Sequence, residues 1–160
     1  GVLKRLDASL IGGANTPAFS AERSGDLALS NTTRTTILFN NEFYDSDGAY
    51  STSTGKFIPQ TAGKYFVQVN LSLDSGASDN YEYGFIELYK NSSVITENTE
   101  DDRSVSYGNG RQRSIGITAI VDMNGSSDFV LIQAYLAGHF QTSGLKVKDM
   151  ATFQAFKIIE

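Results

Sequence analysis

No cysteine occurs among the 160 residues, which excludes a disulfide framework and thiolate chemistry and leaves the redox compartment unread. Histidine occurs once, at His139. One imidazole without a cysteine is a poor basis for a zinc site, and the setting Ala-Gly-His-Phe supplies neither a nucleophile nor an orienting acid in a motif context. His139 is read as a surface or interface side chain. Lys and Arg number 13 against 18 Asp and Glu, a net charge of −5, so the clustered positive surface that a nucleic-acid partner requires is missing. No apolar run approaches the roughly 20 residues of a membrane-spanning helix, which argues against membrane insertion. No Gly-X-Y period is present, which excludes a collagen-like stem within these residues. No leader peptide is visible either, and Gly1 in place of Met reads as the start of a piece cut from something longer.

The 15 glycines, 10 phenylalanines and 8 tyrosines, with only 2 prolines, lean towards a single all-β domain with a sizeable core. Residues 1–15 differ from the rest. Leu3, Leu6 and Leu10 fall on one face of a short helix ended by Gly12-Gly13, either the last turns of a coiled-coil stalk or a flexible terminal segment. From residue 16 to residue 160 the pattern is β. Phe19, Ala21 and Arg23 alternate with polar residues, Arg34 to Phe39 reads as a second strand, and Gly63 to Leu73 places Tyr65, Val67, Val69, Leu71 and Leu73 on one face. Glu82 to Lys90 is apolar on both faces, with Tyr83, Phe85 and Tyr89 opposite Ile86 and Leu88, so burial on both sides or contact with another subunit is expected. The polar segment Glu97 to Gly110 reads as a loop with a short strand at Val105. Gln112 to Met123, Asp128 to Ala137 and Ala151 to Ile159 complete the set, with Asn124-Gly125-Ser126 as a turn. Strands bounded by frequent turn signals point to a sandwich or barrel, the jelly roll among them.

The stretch from Phe39 to Val69 joins two strands through a Gly-, Asp-, Ser- and Thr-rich connection carrying Phe43, Tyr44, Tyr50 and Phe57 as apolar pins. Its spacing, Phe39-x5-Asp45-x4-Tyr50-x6-Phe57-x5-Gly63-x-Tyr65, resembles the signature of the globular head domain of complement component C1q, a family related in fold to tumour necrosis factor. Val67 and Val69 stand where that signature carries aromatic residues. Phe19 to Arg23 resembles the family's first strand and Thr152 to Ile158 its last, so the resemblance spans Pro17 to Ile159. It implies a ten-stranded, two-sheet jelly roll assembling as a homotrimer with both termini at the base. Phe19, Phe39, Tyr50, Phe57, Gly63, Tyr65, Phe153 and Phe156 would then be anchors of fold and trimer. The residue chemistry agrees, since a buried aromatic ring hides some 150–250 Å² and glycine permits a close approach before a strand.

No motif carries a catalytic constellation, so an enzyme is not expected, and no cofactor is called for. Asp45-Ser46-Asp47-Gly48 begins like a calcium loop but lacks its later ligands, which leaves Asp45 as a turn cap. Glu100-Asp101-Asp102 is a second weak calcium candidate, with a solvated acidic cluster as its plain reading. Arg111 and Arg113 share a strand face and could meet an anionic group, or serve as edge charges. Tyr81, Tyr83 and Tyr107 flank loops and could stack on sugar rings, or pack in a trimer.

The resemblance implies a non-enzymatic trimeric recognition or adhesion head for a cell-surface protein or glycan, placed outside the cell, on a cell surface or on a virion. The cysteine-free chain with Ser/Thr/Asn-rich loops fits a bacterial or phage fibre tip better than an animal plasma protein. The alternative is a purely structural trimerisation cap or surface decoration.

Overall fold

A computed structural model describes residues 15–77, 80–103, 111–140 and 142–158. The short helix expected within residues 1–15 lies, apart from Asn15, outside that set, as do Val105 and Tyr107.

The described residues contain strands and no helix, arranged as two sheets packed face to face. The first sheet carries β1 (Ala18–Glu22), β2 (Leu27–Ala28), β4 (Asn41–Asp45), β7 (Gly63–Asp74), β10 (Gln112–Met123), β12 (Lys146–Val147) and β13 (Thr152–Lys157). The second carries β3 (Thr35–Thr36), β5 (Tyr50–Ser51), β6 (Lys56–Phe57), β8 (Tyr81–Lys90), β9 (Ser93–Asp101) and β11 (Val130–Gly138). Five of these thirteen segments are only two residues long, which is why the ladder count exceeds the ten strands expected. In the first sheet β7 is the hub. It pairs antiparallel with β10 on one side, and with β13 and β12 on the other, and β1 and β4 continue beyond β13.

Alternation decides which side chains enter the core. In β7, Tyr65, Val67, Val69, Leu71 and Leu73 are buried, while Lys64, Phe66, Gln68, Asn70 and Ser72 point out of the sandwich. Ile115, Ile117 and Val121 of β10, with Phe153 and Ala155 of β13, extend the same layer, and Ile86, Leu88, Val130, Ile132 and Leu136 face it from the second sheet. One end of this core is aromatic. Phe19 stacks on Tyr50 at 4.5 Å between centroids and on Phe57 at 4.7 Å, and meets Phe153 edge-on at 4.9 Å.

Two sequence expectations change. The strand expected over Arg34 to Phe39 is a ladder only at Thr35–Thr36, because beyond it Phe39 turns both backbone polar groups to one side chain. Its N–H donates to the Tyr50 hydroxyl, and that hydroxyl donates to the Phe39 carbonyl, each at 3.2 Å. The loop expected from Glu97 starts later, since Glu97 to Asp101 belong to β9. β9 runs along the open edge of the second sheet, exposed or half-exposed along its whole length, so no face of it needs apolar residues and the alternation that marks a strand is missing.

The strand directions define two ends. Chain entry and exit lie together at the base, where the Lys157 N–H donates to the Pro17 carbonyl. The opposite end, the apex, gathers Asp26, Asp74, Arg111, Gly138 to Phe140 and Lys146.

Candidate functional site

The segment from Phe39 to Tyr65 is held from within. Tyr50 and Phe57 are buried, and burial pushes the Tyr50 hydroxyl pKa up to about 12. Tyr65, also buried and pushed up to about 12, packs edge-on against Phe57 and donates its hydroxyl to the Thr61 carbonyl at 2.7 Å. Gly63 has φ +143°, and a Cβ there would meet the Lys157 side chain at 2.6 Å. Asp45 acts as a turn cap, one carboxylate oxygen accepting the Tyr50 N–H at 2.7 Å and the other the Asp47 N–H at 3.3 Å. Phe43 and Tyr44 correct the picture of a connection pinned by every aromatic. They lie on edge strand β4, and Phe43 is 62% exposed.

The outward face of the first sheet brings Phe156, named in the sequence reading as an anchor, together with Phe66 and Ile120, which that reading missed. Phe156 is 37% exposed and stacks on Phe66 at 5.0 Å, and Ile120, 64% exposed, pairs with Phe66 on its other side. These three make an apolar row across β10, β7 and β13, close to the base. Val94 and Ile95 of β9 bring further exposed apolar surface to the same end, and on the other flank Phe43 and Tyr44 are exposed one row up, level with Gln154 and Gln68. The signal was in the chain. Phe66 and Ile120 break the alternation of β7 and β10, each standing where a polar residue belongs.

Towards the apex the same face turns polar. Gln154 donates its side-chain amide to the Gln68 side chain at 2.6 Å, and beyond that pair a groove of about 410 Å³ opens over Asn70, Ser72, Ser114 and Gly116, walled by Asp149 and Met150.

The apex is ionic. Asp26 accepts Lys146 at 2.8 Å and Lys148 at 2.9 Å, which together with the Asp149 N–H hold its carboxyl far below the usual range. For Asp74, burial pushes the pKa up, but the Arg111 Nε at 2.9 Å and the Gly76 N–H overcome this and leave it lowered. Arg111 therefore presents a half-exposed guanidinium anchored on a buried carboxylate.

The calcium candidates are otherwise engaged. Asp101 pairs with Arg103, which lowers its pKa to about 2, and Asp102 pairs with Arg113. Asp47 accepts the Ser46 hydroxyl, and the described residues hold no cluster of three metal-ligating side chains. Tyr81 requires a correction as an exposed stacking platform. It is 1% exposed, covered by the Arg113 guanidinium 5.2 Å from its ring centroid, and its hydroxyl has no hydrogen-bond partner among the described residues. His139 is exposed and meets Phe140 edge-on at 4.2 Å.

Two antiparallel sheets with a hub strand, and with the first and last strands entering and leaving at one end, define a jelly-roll sandwich of the C1q and tumour-necrosis-factor type. The C1q domain family matches residues 18–130, and the chain belongs to that family. The globular domain of zebrafish complement 1qA protein superposes with a TM-score of 0.63 at 17% identity, over 89% of this chain and 98% of that one. Eiger TNF from S. frugiperda gives 0.59 at 13% identity, over 88% and 91%. No curated protein matches the sequence. Domains of these families are in general ligand-recognition or trimerising heads and not enzymes.

Proposed function

We propose that this domain is a non-enzymatic recognition or adhesion head that works as a homotrimer. The carrying observation is the run of exposed and half-exposed apolar side chains on and beside the outward face of the first sheet: Phe66, Phe156 and Ile120 on the face near the base, Phe43 and Tyr44 on one flank, Val94 and Ile95 on the other. A soluble monomer gains nothing from presenting such a patch, and burying it against a neighbour is favourable at about 25 cal/mol per Å². The flank at β9 and the face at β7 are different surfaces, so their mating is heterologous and repeats around a closed ring. The trimerising habit of the family supports three members. Such a head joins three identical sites, so weak binding at each becomes avid binding overall.

Its partner is a cell-surface protein or a glycan, and its place is extracellular, on a cell surface or on a virion. Light scattering tests the assembly: a mass of three times the 17.4 kDa chain is expected, and a monomer at micromolar concentration would overturn it. Binding to glycans and intact cells tests recognition. A trimer that binds neither is a structural cap or decoration.

A further inference from the structure

We infer that the outward face of the second sheet, over Tyr83, Phe85 and Tyr135, is a binding site for a neutral oligosaccharide, an inference that rests on reading the chain as a recognition head. Strand pairing puts the three rings side by side. Phe85 of β8 stands opposite Tyr135 of β11, and Tyr83 lies two residues from Phe85 on the same face. Phe85 and Tyr135 stack at 4.7 Å, and Tyr83 meets them edge-on at 5.6 and 6.0 Å. This face lies across the sandwich from Phe66, Phe156 and Ile120, so the proposed assembly leaves it open to a ligand.

An arginine lies over each end of the ring cluster. Arg34, next to β3, reaches across β11 to Glu87 of β8, donating from Nε at 2.8 Å and from Nη2 at 3.1 Å to the two carboxylate oxygens. Tyr89 adds its hydroxyl to Glu87 at 3.2 Å, so this buried carboxylate is spent on holding its neighbours. The Arg34 guanidinium lies 5.0 Å from the Phe85 centroid. Arg103, beyond β9, donates from Nε and Nη2 to Asp101 and lies 4.4 Å from the Tyr83 centroid. Both guanidiniums are about half exposed, and Nη1 of each has no partner among the described residues, which leaves two donors in fixed directions. The Tyr83 and Tyr135 hydroxyls reach solvent and are unpaired among the described residues.

These groups select the ligand. Four hydrogen-bonding groups set among ring surfaces match a molecule that alternates hydroxyls with C–H faces, which is the chemistry of a sugar. Each arginine is neutralised by its own carboxylate, and Glu97 is exposed opposite Glu87. Two guanidiniums against three carboxylates disfavour an anionic saccharide. From β3 through β11 and β8 to β9 the face spans three strand spacings, about 14 Å, more than one sugar ring covers. A protein partner fits less well. An interface hot spot draws its strength from an apolar anchor buried on binding, and here Phe85 is only 5% exposed, already covered by Arg34 and the neighbouring rings. The rings and guanidiniums are held in place beforehand, so little side-chain freedom is lost when a ligand arrives.

Fluorine-labelled tyrosine reports from this face and from the core at once, since Tyr65 is fully buried and serves as the control. The intact labelled protein, its Tyr83 and Tyr135 resonances assigned from Tyr83→Phe and Tyr135→Phe, is titrated with maltotriose, cellotriose and chitotriose, and with trigalacturonic acid as the anionic comparison. The Tyr83 and Tyr135 resonances are expected to shift saturably with at least one neutral sugar, while that of Tyr65 stays in place. Arg34→Lys keeps a cation beside Glu87 but removes the free guanidinium edge, and is expected to weaken that binding at least about tenfold with the mass unchanged. Arg103→Gln changes the other end at an exposed position and is expected to weaken it about threefold. Tyr83 and Tyr135 signals indifferent to all three neutral sugars overturn the inference, as does binding that both variants leave undiminished. A response to trigalacturonic acid alone, or to protein concentration alone, gives the face to an anion or to a second copy and overturns it too. If this face fails while the protein still adheres to cells, the recognition-head reading stands without it. If neither sugars nor cells are bound, both fall.

Discussion

The outward face of the first sheet is apolar at the base and polar at the apex, although the same strands run through both. At the base Phe66, Phe156 and Ile120 form a row with little hydrogen-bonding capacity, and the adjoining edges add more apolar surface. A few residues further along β7 and β10 the outward positions become Asn70, Ser72 and Ser114, and the loops beyond them are tied by ion pairs such as Asp26 with Lys146 and Lys148. A dry contact between copies favours the first composition, because obligate interfaces resemble a core cut in half. The second composition stays hydrated, since water can satisfy its polar groups. One sheet thus carries an apolar and a polar half on the same face by changing every second residue.

Four experiments would break or sharpen that contrast. The largest effect is expected behind the base, where Phe153→Ala removes the ring in contact with Phe19, Phe39 and Tyr50. A loss of about 3–5 kcal/mol in chemical denaturation is expected. Next, Ile120→Lys combined with Phe156→Glu leaves the core untouched and charges the apolar row. The mass is expected to fall to that of one 17.4 kDa chain, and an intact assembly would show that the base is not the contact.

The apex should respond to acid instead. Asp26 and Asp101 have folded pKa values below the unfolded value of about 3.9, so their stabilisation is in place above about pH 4 and is lost as the pH falls. Melting temperature is therefore expected to drop between about pH 5 and about pH 2. Asp26→Asn should lower the neutral-pH value and flatten part of the drop. The charged base variants should leave the slope alone. The smallest effect is a gain: Tyr81→Phe deletes a buried hydroxyl that has no partner among the described residues and is expected to stabilise by about 1 kcal/mol.

Much of the fold was legible in the chain because a sandwich buries one face of each central strand. The alternation of Tyr65 to Leu73 and of Ile115 to Val121 is the direct imprint of that burial, and the spacing from Phe39 to Tyr65 carried the family. The edges were not legible. β9 faces solvent or half-solvent on both sides, so nothing in its composition separates it from a loop, and β4 shows Phe43 and Tyr44 to solvent where the chain alone placed them as pins.

Of the site, the sequence determined the residue types and little of their arrangement. Tyr81 looked like a loop-flanking platform, and only the fold, which lays its hydroxyl against Gly84, makes it a core residue. Ser72 and Ser114 are 42 positions apart and meet because β7 and β10 pair in one particular register. Met150 joins them because the turn before β13 bends back over that pair. Local pattern determined which face of each strand is buried, since alternation is a property of neighbouring residues. Which outward residues stand side by side was decided only by strand register and loop closure, and these are properties of the folded chain as a whole.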